Sequence, residues 1–239
     1  MRVLVLGGTG EARDLAAALV ARGDHVVSSL AGRVARPRLP VGEVRIGGFG
    51  GAEGLRQVAA SFDAVVDATH PFARRISTNA AAACDVVPLV RLARPGWEPR
   101  PGWRIVHDHP SAARRTAQLG RRPFLTVGRQ DLGAFAGPLA THSVVARVVD
   151  PPEVAVPSSW RLLLDRGPYT LDGELALMRE HGVDVLVTKD SGGAMTQAKL
   201  DAATRLDLPV VVVRRPAPPA GVPLVASVPE ALAWLGSLR

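Results

Sequence analysis

The chain opens on an apolar run of strand length, Arg2 to Leu6, that stops at Gly7-Gly8-Thr9-Gly10. Beyond it, Ala12, Leu15, Ala16, Leu19 and Val20 recur at helical spacing, which predicts a helix over Glu11 to Arg22 with one buried face. Gly23-Asp24 ends that helix and His25 to Leu30 reads as a second strand, so a strand, glycine turn, helix, strand unit is expected. Val44 to Ile46 reads as a third strand, followed by a glycine cluster and a helix from about Ala52 to Ser61. Ala64 to Asp67 is short, apolar and β-branched, as suits a strand buried on both faces of a parallel sheet. A helix over Ala73 to Cys84 and a strand over Val86 to Leu92 follow.

Ala93 to Trp103 breaks the periodicity with Pro95, Gly96, Pro99, Pro101 and Gly102. It reads either as a substrate loop or as a packed connector holding Trp97 and Trp103. A short strand at Ile105-Val106 and a helix over Ser111 to Leu119 lead to Gly120-Arg121-Arg122-Pro123, a natural lobe boundary. The alternation then restarts, with strands at Phe124 to Val127, Ser143 to Val149, Trp160 to Leu164, Val183 to Thr188 and Pro209 to Val213. Helices are expected over Leu171 to Glu180, Met195 to Leu206 and Pro229 to Leu238. Such alternation predicts an α/β protein of two Rossmann-like lobes, 1–120 and 121–239, each a parallel sheet flanked by helices.

Composition narrows the class. At 239 residues with 47% hydrophobic residues, 24 glycines and 20 prolines, the chain can bury a real core and is neither disordered nor collagenous. Its apolar runs fall far short of the roughly 20 residues a membrane span needs, and no apolar signal region follows Met1-Arg2, so a cytoplasmic protein without membrane association is expected. The single cysteine, Cys84, excludes an internal disulfide and multi-cysteine zinc patterns. Basic residues outnumber acidic ones by 29 to 22, and because Lys189 and Lys199 are the only lysines, 27 of the 29 are arginines. Codon bias is one explanation; an anionic partner, held by paired guanidinium hydrogen bonds, is the other. Nucleic acid is not expected, since aromatic stacking platforms are scarce at 4% aromatic residues.

The glycines after the first strand carry the strongest chemical signal. There a backbone can approach a pyrophosphate lying on the next helix's N-terminus, which makes Gly8, Thr9, Gly10, Glu11 and Ala12 candidate cofactor ligands. The pattern is a variant of the dinucleotide fingerprint, with Arg13 where a third glycine belongs, and a ligand-free tight turn is the alternative. The second strand ends in Ser28-Ser29-Leu30-Ala31-Gly32-Arg33, with no acid to hold an adenosine ribose. Ser29, Gly32 and Arg33 therefore favour a 2′-phosphate, hence NADPH; Arg33 as one surface arginine among many is the plainer reading.

Thr69 and His70 leave the carboxyl end of the Ala64 to Asp67 strand, the edge where open parallel sheets bind ligands. Contact with the nicotinamide half of a cofactor competes there with a purely architectural His-Pro turn. In the second lobe Arg129 and Gln130 follow one strand, and Lys189, Asp190, Ser191 and Gly192 follow another. Thr196 and Lys199, three apart on the next expected helix, would join Lys189 and Ser191 in an anion site, against a capped helix with solvated charges. No catalytic group is singled out with certainty; His70, Asp190 and Ser191 are candidates. The tyrosine-lysine pair of short-chain dehydrogenases is missing, because position 173 is glycine after Tyr169, and Gly-x-Ser-x-Gly and Walker patterns are absent. His107 and His109 lack a third ligand nearby, so no metal is expected.

Taken in order, GGTGEAR (Gly7 to Arg13), SLAGR (Ser29 to Arg33), DATHPFA (Asp67 to Ala73), GRQ (Gly128 to Gln130) and TKDSGG with Thr196 and Lys199 resemble the precorrin-6A reductases of cobalamin biosynthesis. The resemblance spans nearly the whole chain. It implies NADPH-dependent reduction of one carbon-carbon double bond of a polycarboxylate tetrapyrrole, at an active site in the cleft between the lobes. A substrate of that kind would explain an arginine-rich cleft. Two other readings stand beside it, a reductase of another anionic conjugated substrate and a non-catalytic dinucleotide sensor. The oligomeric state is left open, and a monomer suffices for each reading.

Overall fold

The computed structural model describes residues 1–32 and 38–239, and the chain divides into two compact units, 1–95 with 216–239 and 96–215. The first contains β1 (Arg2–Leu6), α1 (Gly10–Ala21), β2 (His25–Leu30), β3 (Glu43–Ile46), α2 (Ala52–Ala59), β4 (Ala64–Asp67), α3 (Arg74–Ala83) and β5 (Leu89–Leu92). The second contains β6 (Trp103–Val106), α4 (His109–Leu119), β7 (Pro123–Thr126), α5 (Gly133–Ala136), β8 (Val145–Val148), β9 (Arg161–Leu164), α6 (Leu171–Glu180), β10 (Val185–Lys189), α7 (Ala198–Arg205) and β11 (Val210–Val213). The chain then returns to the first unit with β12 (Leu224–Val225) and α8 (Val228–Gly236).

Each unit is a six-stranded parallel sheet, ordered β12-β5-β4-β1-β2-β3 in one and β6-β11-β10-β7-β8-β9 in the other. Five strands of each sheet follow the doubly wound Rossmann order, and the strand order reverses beside β1 and beside β7. The sixth strand is exchanged. β6 directly follows the first five strands, yet it pairs in register with β11, Trp103 against Val210 through Val106 against Val213. Conversely, β12 follows the second set and pairs with β5, Leu224 against Arg91. The expected boundary at 120 is therefore corrected. Residues 96–120 belong to the second unit because β6 and α4 pack there, and the C-terminal helix belongs to the first because Ala231 and Leu235 are buried in its core.

Strand alternation explains the layers. Val3 and Val5 face one side of the first sheet with Ala12, Leu15 and Leu19 of α1, while Leu4 and Leu6 face the other with Leu55 of α2 and Ala80 of α3. In the second sheet Phe124, Leu186, Val210 and Val212 pack with Leu175 and Met178 of α6 and Leu200 of α7. The expected helix over Met195 to Leu206 is shorter than its periodicity implied. Gly192 and Gly193 adopt positive φ, a 3-10 turn occupies Ala194–Thr196, and the α-helix begins only at Ala198, so Thr196 does not share a helical face with Lys199. Among the described residues no helix is long and apolar enough to cross a membrane.

The exchange yields a test. Leu235→Ala removes a fully buried side chain at a cost of about 2 to 5 kcal/mol. Hydrogen exchange should then accelerate in β1 and α1 and stay slow in β7 and β10. Acceleration in the second sheet instead would restore the undivided 121–239 lobe.

Candidate functional site

The carboxyl edge of the first sheet gathers most of the candidate cofactor residues. Gly8 holds φ at +113°, a conformation that disfavours any side chain, and so aims the turn into α1. Thr9, buried, caps α1: its Oγ1 accepts the Ala12 N–H at 3.1 Å and donates to Ala68 O at 2.8 Å. The glycine turn is thereby tied to the turn after β4. A Cβ at Gly10 would meet only the flexible tip of Arg13, at 3.8 Å, so nothing within the chain demands glycine at this first residue of the helix. Glu11 is drawn aside by Arg94, 2.6 Å from Oε2. Burial pushes its carboxyl up, but the helix N-terminus and Arg94 outweigh burial and hold it below the usual range.

The edge is laced sideways. Gly7 N–H donates to Ser29 O at 2.9 Å and Gly47 N–H to Leu30 O at 2.8 Å, joining the ends of β1, β2 and β3. Gly32 adopts positive φ just beyond β2; Arg33 lies outside the described residues. A residue that sequence reasoning passed over, Arg45, stands beside Ser29 in register on β3, with Nη1 3.5 Å from Ser29 Oγ. Only the strand pairing could have revealed it, since 16 residues separate the two in sequence.

After β4, one carboxylate organises the turn. Asp67 Oδ1 accepts from Thr69 N at 3.1 Å and from Thr69 Oγ1 at 2.7 Å, while Oδ2 pairs with Arg91 of β5, which also reaches Ser77 of α3. All four residues are buried. His70 Nδ1 accepts the Phe72 N–H at 3.2 Å, which leaves the proton of a neutral ring on Nε2. Gly8, Thr9, Gly10, Glu11, Ala12, Ser29, Thr69 and His70 thus lie along one sheet edge, as the sequence placed them at strand ends.

In the second unit the members of the expected anion cluster have partners of their own. Lys189 Nζ bonds Asp131 Oδ2 at 3.0 Å, and His109 Nε2 lies 3.4 Å from the same oxygen, a grouping the sequence did not disclose. Burial lowers the His109 pKa, Asp131 opposes this, and Lys189 adds to it. Arg129 donates to Pro151 O at 3.3 Å, Gln130 is exposed, and Thr126 Oγ1 donates to Val187 O at 2.9 Å. Ser191 is buried, its N–H donating to Lys189 O at 2.7 Å. The carboxylate of Asp190 is engaged by the Trp97 N–H at 3.1 Å and by Arg215 Nε at 3.2 Å, and a Cβ at Gly96 would sit 2.8 Å from it. Asp190 therefore fastens both segments by which the chain joins and leaves this unit.

A family model described as precorrin-6x reductase, CbiJ/CobK, matches residues 2–236. The chain belongs to the precorrin-6x reductase family. Among family members, the precorrin-6A reductase of Rhodococcus erythropolis is 55% identical over 99% of this chain and 98% of its own length. That of Mycobacterium tuberculosis H37Rv is 50% identical over 99% and 98%. A solved structure described as CobK precorrin-6A reductase superposes with a TM-score of 0.92 at 40% identity, covering all of this chain and 97% of that one.

In this member of the reductase family Lys199 is turned inward. It is 5% exposed, with Nζ 5.5 Å from the Trp97 ring centroid, near the buried pair of Arg147 and Glu174, whose closest approach is 2.6 Å. Trp97 is fixed by Nε1 donating to Gly193 O at 3.4 Å, so the proline-rich stretch supplies a lid over this lysine. Burial drives the amine down to about 7; Arg147 and Lys189 reinforce the shift and Glu174 resists it. Between pH 7 and the ordinary lysine value of 10.5 the unfolded chain holds a proton that the folded chain lacks, so stability rises with pH, and below 7 this contribution is flat. Lys199→Met should remove a slope of up to about 1.4 kcal/mol per pH unit. In urea titrations its stability advantage over wild type should be largest at pH 7 and shrink toward pH 10; parallel pH profiles would contradict the assignment.

Proposed function

We propose that the protein reduces precorrin-6A to its dihydro product with NADPH, in cobalamin biosynthesis. The observation that carries the cofactor half is the carboxyl edge of β1, β2 and β4. A helix N-terminus, a glycine at position 10 that the chain itself does not need, and an acid-free end of β2 meet beside the strand-order reversal. Those features fit a dinucleotide carrying an extra phosphate. The reductase family, and the activity named for its members, supply the substrate half.

When bound, NADPH supplies the hydride that adds to one carbon of the substrate double bond. The chain's own residues have more modest tasks. Gly8, Thr9, Gly10, Glu11 and Ala12 form the turn and the first helical residues offered to the pyrophosphate. Thr69 and His70 border the nicotinamide half, and Ser29, Gly32 and Arg33 border the adenosine half. Arg129, Gln130, Lys189, Ser191, Gly192 and the neighbouring Thr196 form the polar surface offered to substrate carboxylates, with Lys189 held in place by Asp131. The proton delivered to the adjacent carbon comes from water, which the His70 Nε2–H is placed to hold. Asp190 is committed to Trp97 and Arg215 and serves the fold.

The decisive assay is loss of reduced-nicotinamide absorbance under anaerobic conditions with and without precorrin-6A. Oxidation dependent on precorrin-6A is expected; NADPH binding without turnover would favour a dinucleotide sensor. Gly10→Val should weaken NADPH binding on the order of tenfold or more, about 1.4 kcal/mol, because a β-branched side chain occupies the approach to the pyrophosphate. A thermal melt alongside the titration separates this from misfolding, and normal affinity in a folded variant would move the cofactor elsewhere.

A further inference from the structure

Arg45 is half-buried on β3, and its guanidinium stacks over the Phe49 ring with Cζ 4.2 Å from the centroid. Nη1 donates to Gly47 O at 3.1 Å and Nη2 to Gly48 O at 2.8 Å, and Nη1 also approaches Ser29 Oγ at 3.5 Å. Five N–H groups face three acceptors, all neutral, and among the described residues no carboxylate pairs with this charge. Stacking and two carbonyls fix the plane, yet among the described residues no acid neutralises it. An arginine held flat without a counter-ion is preorganised for an anion, since little side-chain freedom remains to be lost when one arrives.

Its position names the anion. The Gly7 to Ser29 hydrogen bond sets the end of β2 beside the glycine turn, and the register Ser29 against Arg45 sets β3 one strand further out. In a dinucleotide fold the pyrophosphate lies at the glycine turn and the adenosine ribose at the end of the second strand. We infer that Arg45, with the Ser29 hydroxyl, is the principal recognition element for the 2′-phosphate of the cofactor, fixed by Phe49 and the Gly47 and Gly48 carbonyls. The inference rests on the NADPH reading above and shifts its specificity from Arg33 to a residue on β3.

Calorimetric titration of 2′,5′-ADP and 5′-AMP, which differ only in the 2′-phosphate, tests it without turnover. Wild type should bind 2′,5′-ADP more tightly than 5′-AMP by about tenfold to hundredfold, as one charge-assisted phosphate contact provides. Arg45→Met should erase that preference and leave 5′-AMP affinity unchanged. Arg45→Lys, which keeps the charge but loses the fork, should restore part of it and serves if the methionine variant fails to fold. A preference that survives in folded Arg45→Met but disappears in Arg33→Ala overturns the inference and leaves the NADPH reading intact. Equal loss of both ligands assigns Arg45 a structural role and overturns it too. A wild type with no preference overturns the NADPH reading itself.

Discussion

The carboxylate of Asp67 is shared by the groups that shape the carboxyl edge of the first unit's sheet. One oxygen fixes Thr69 through its N–H and its hydroxyl, and the other is bound to Arg91 on the neighbouring strand. Both ions are buried, so removing either would strand the other in a low-dielectric interior, at a cost of about 3 to 5 kcal/mol. Because Ala68 is held between Asp67 and Thr69, its carbonyl is positioned to receive the Thr9 hydroxyl, and the glycine turn inherits its place from there. Two turns distant in sequence are thus aligned by one ion pair and one hydroxyl.

Strand exchange adds a second constraint. Five strands of each sheet follow one another in the chain, and the edge position of each is filled by a strand from beyond the other set. The crossing segments are fastened locally. Asp190 takes the Trp97 N–H and the Arg215 guanidinium, and the close approach of its carboxylate to Gly96 leaves no room for a side chain there. Asp190, a catalytic candidate in the sequence, makes these contacts, and Trp97, from a stretch readable as a substrate loop or a packed connector, covers the Lys199 amine.

Legibility followed the range of the interactions. Local periodicity revealed β1, α1, β2 and β4, because each is a short stretch whose own residues carry the pattern. The glycine turn and Thr69-His70 were readable as strand ends for the same reason. The exchange was not readable, because a short strand such as Trp103 to Val106 satisfies either sheet and only its register chooses. β12 spans two residues, too few for any period. Arg45 and Asp131 escaped notice because their roles arise from pairing across strands and loops, as Ser29 with Arg45 and Lys189 with Asp131 show. Lys199 was legible as unusual, but its burial depends on Trp97, which arrives from 102 residues upstream.

In the proposed reduction the hydride comes from a cofactor held by the first unit and the single proton from solvent-exchangeable groups. Mass spectrometry of the product formed from precorrin-6A and NADPH labelled with deuterium at nicotinamide C4 tests this most directly. One deuterium carried from cofactor to macrocycle in ordinary water, with a second gained only in heavy water, is the result predicted. Product without cofactor-derived deuterium, from fully labelled NADPH, would contradict it.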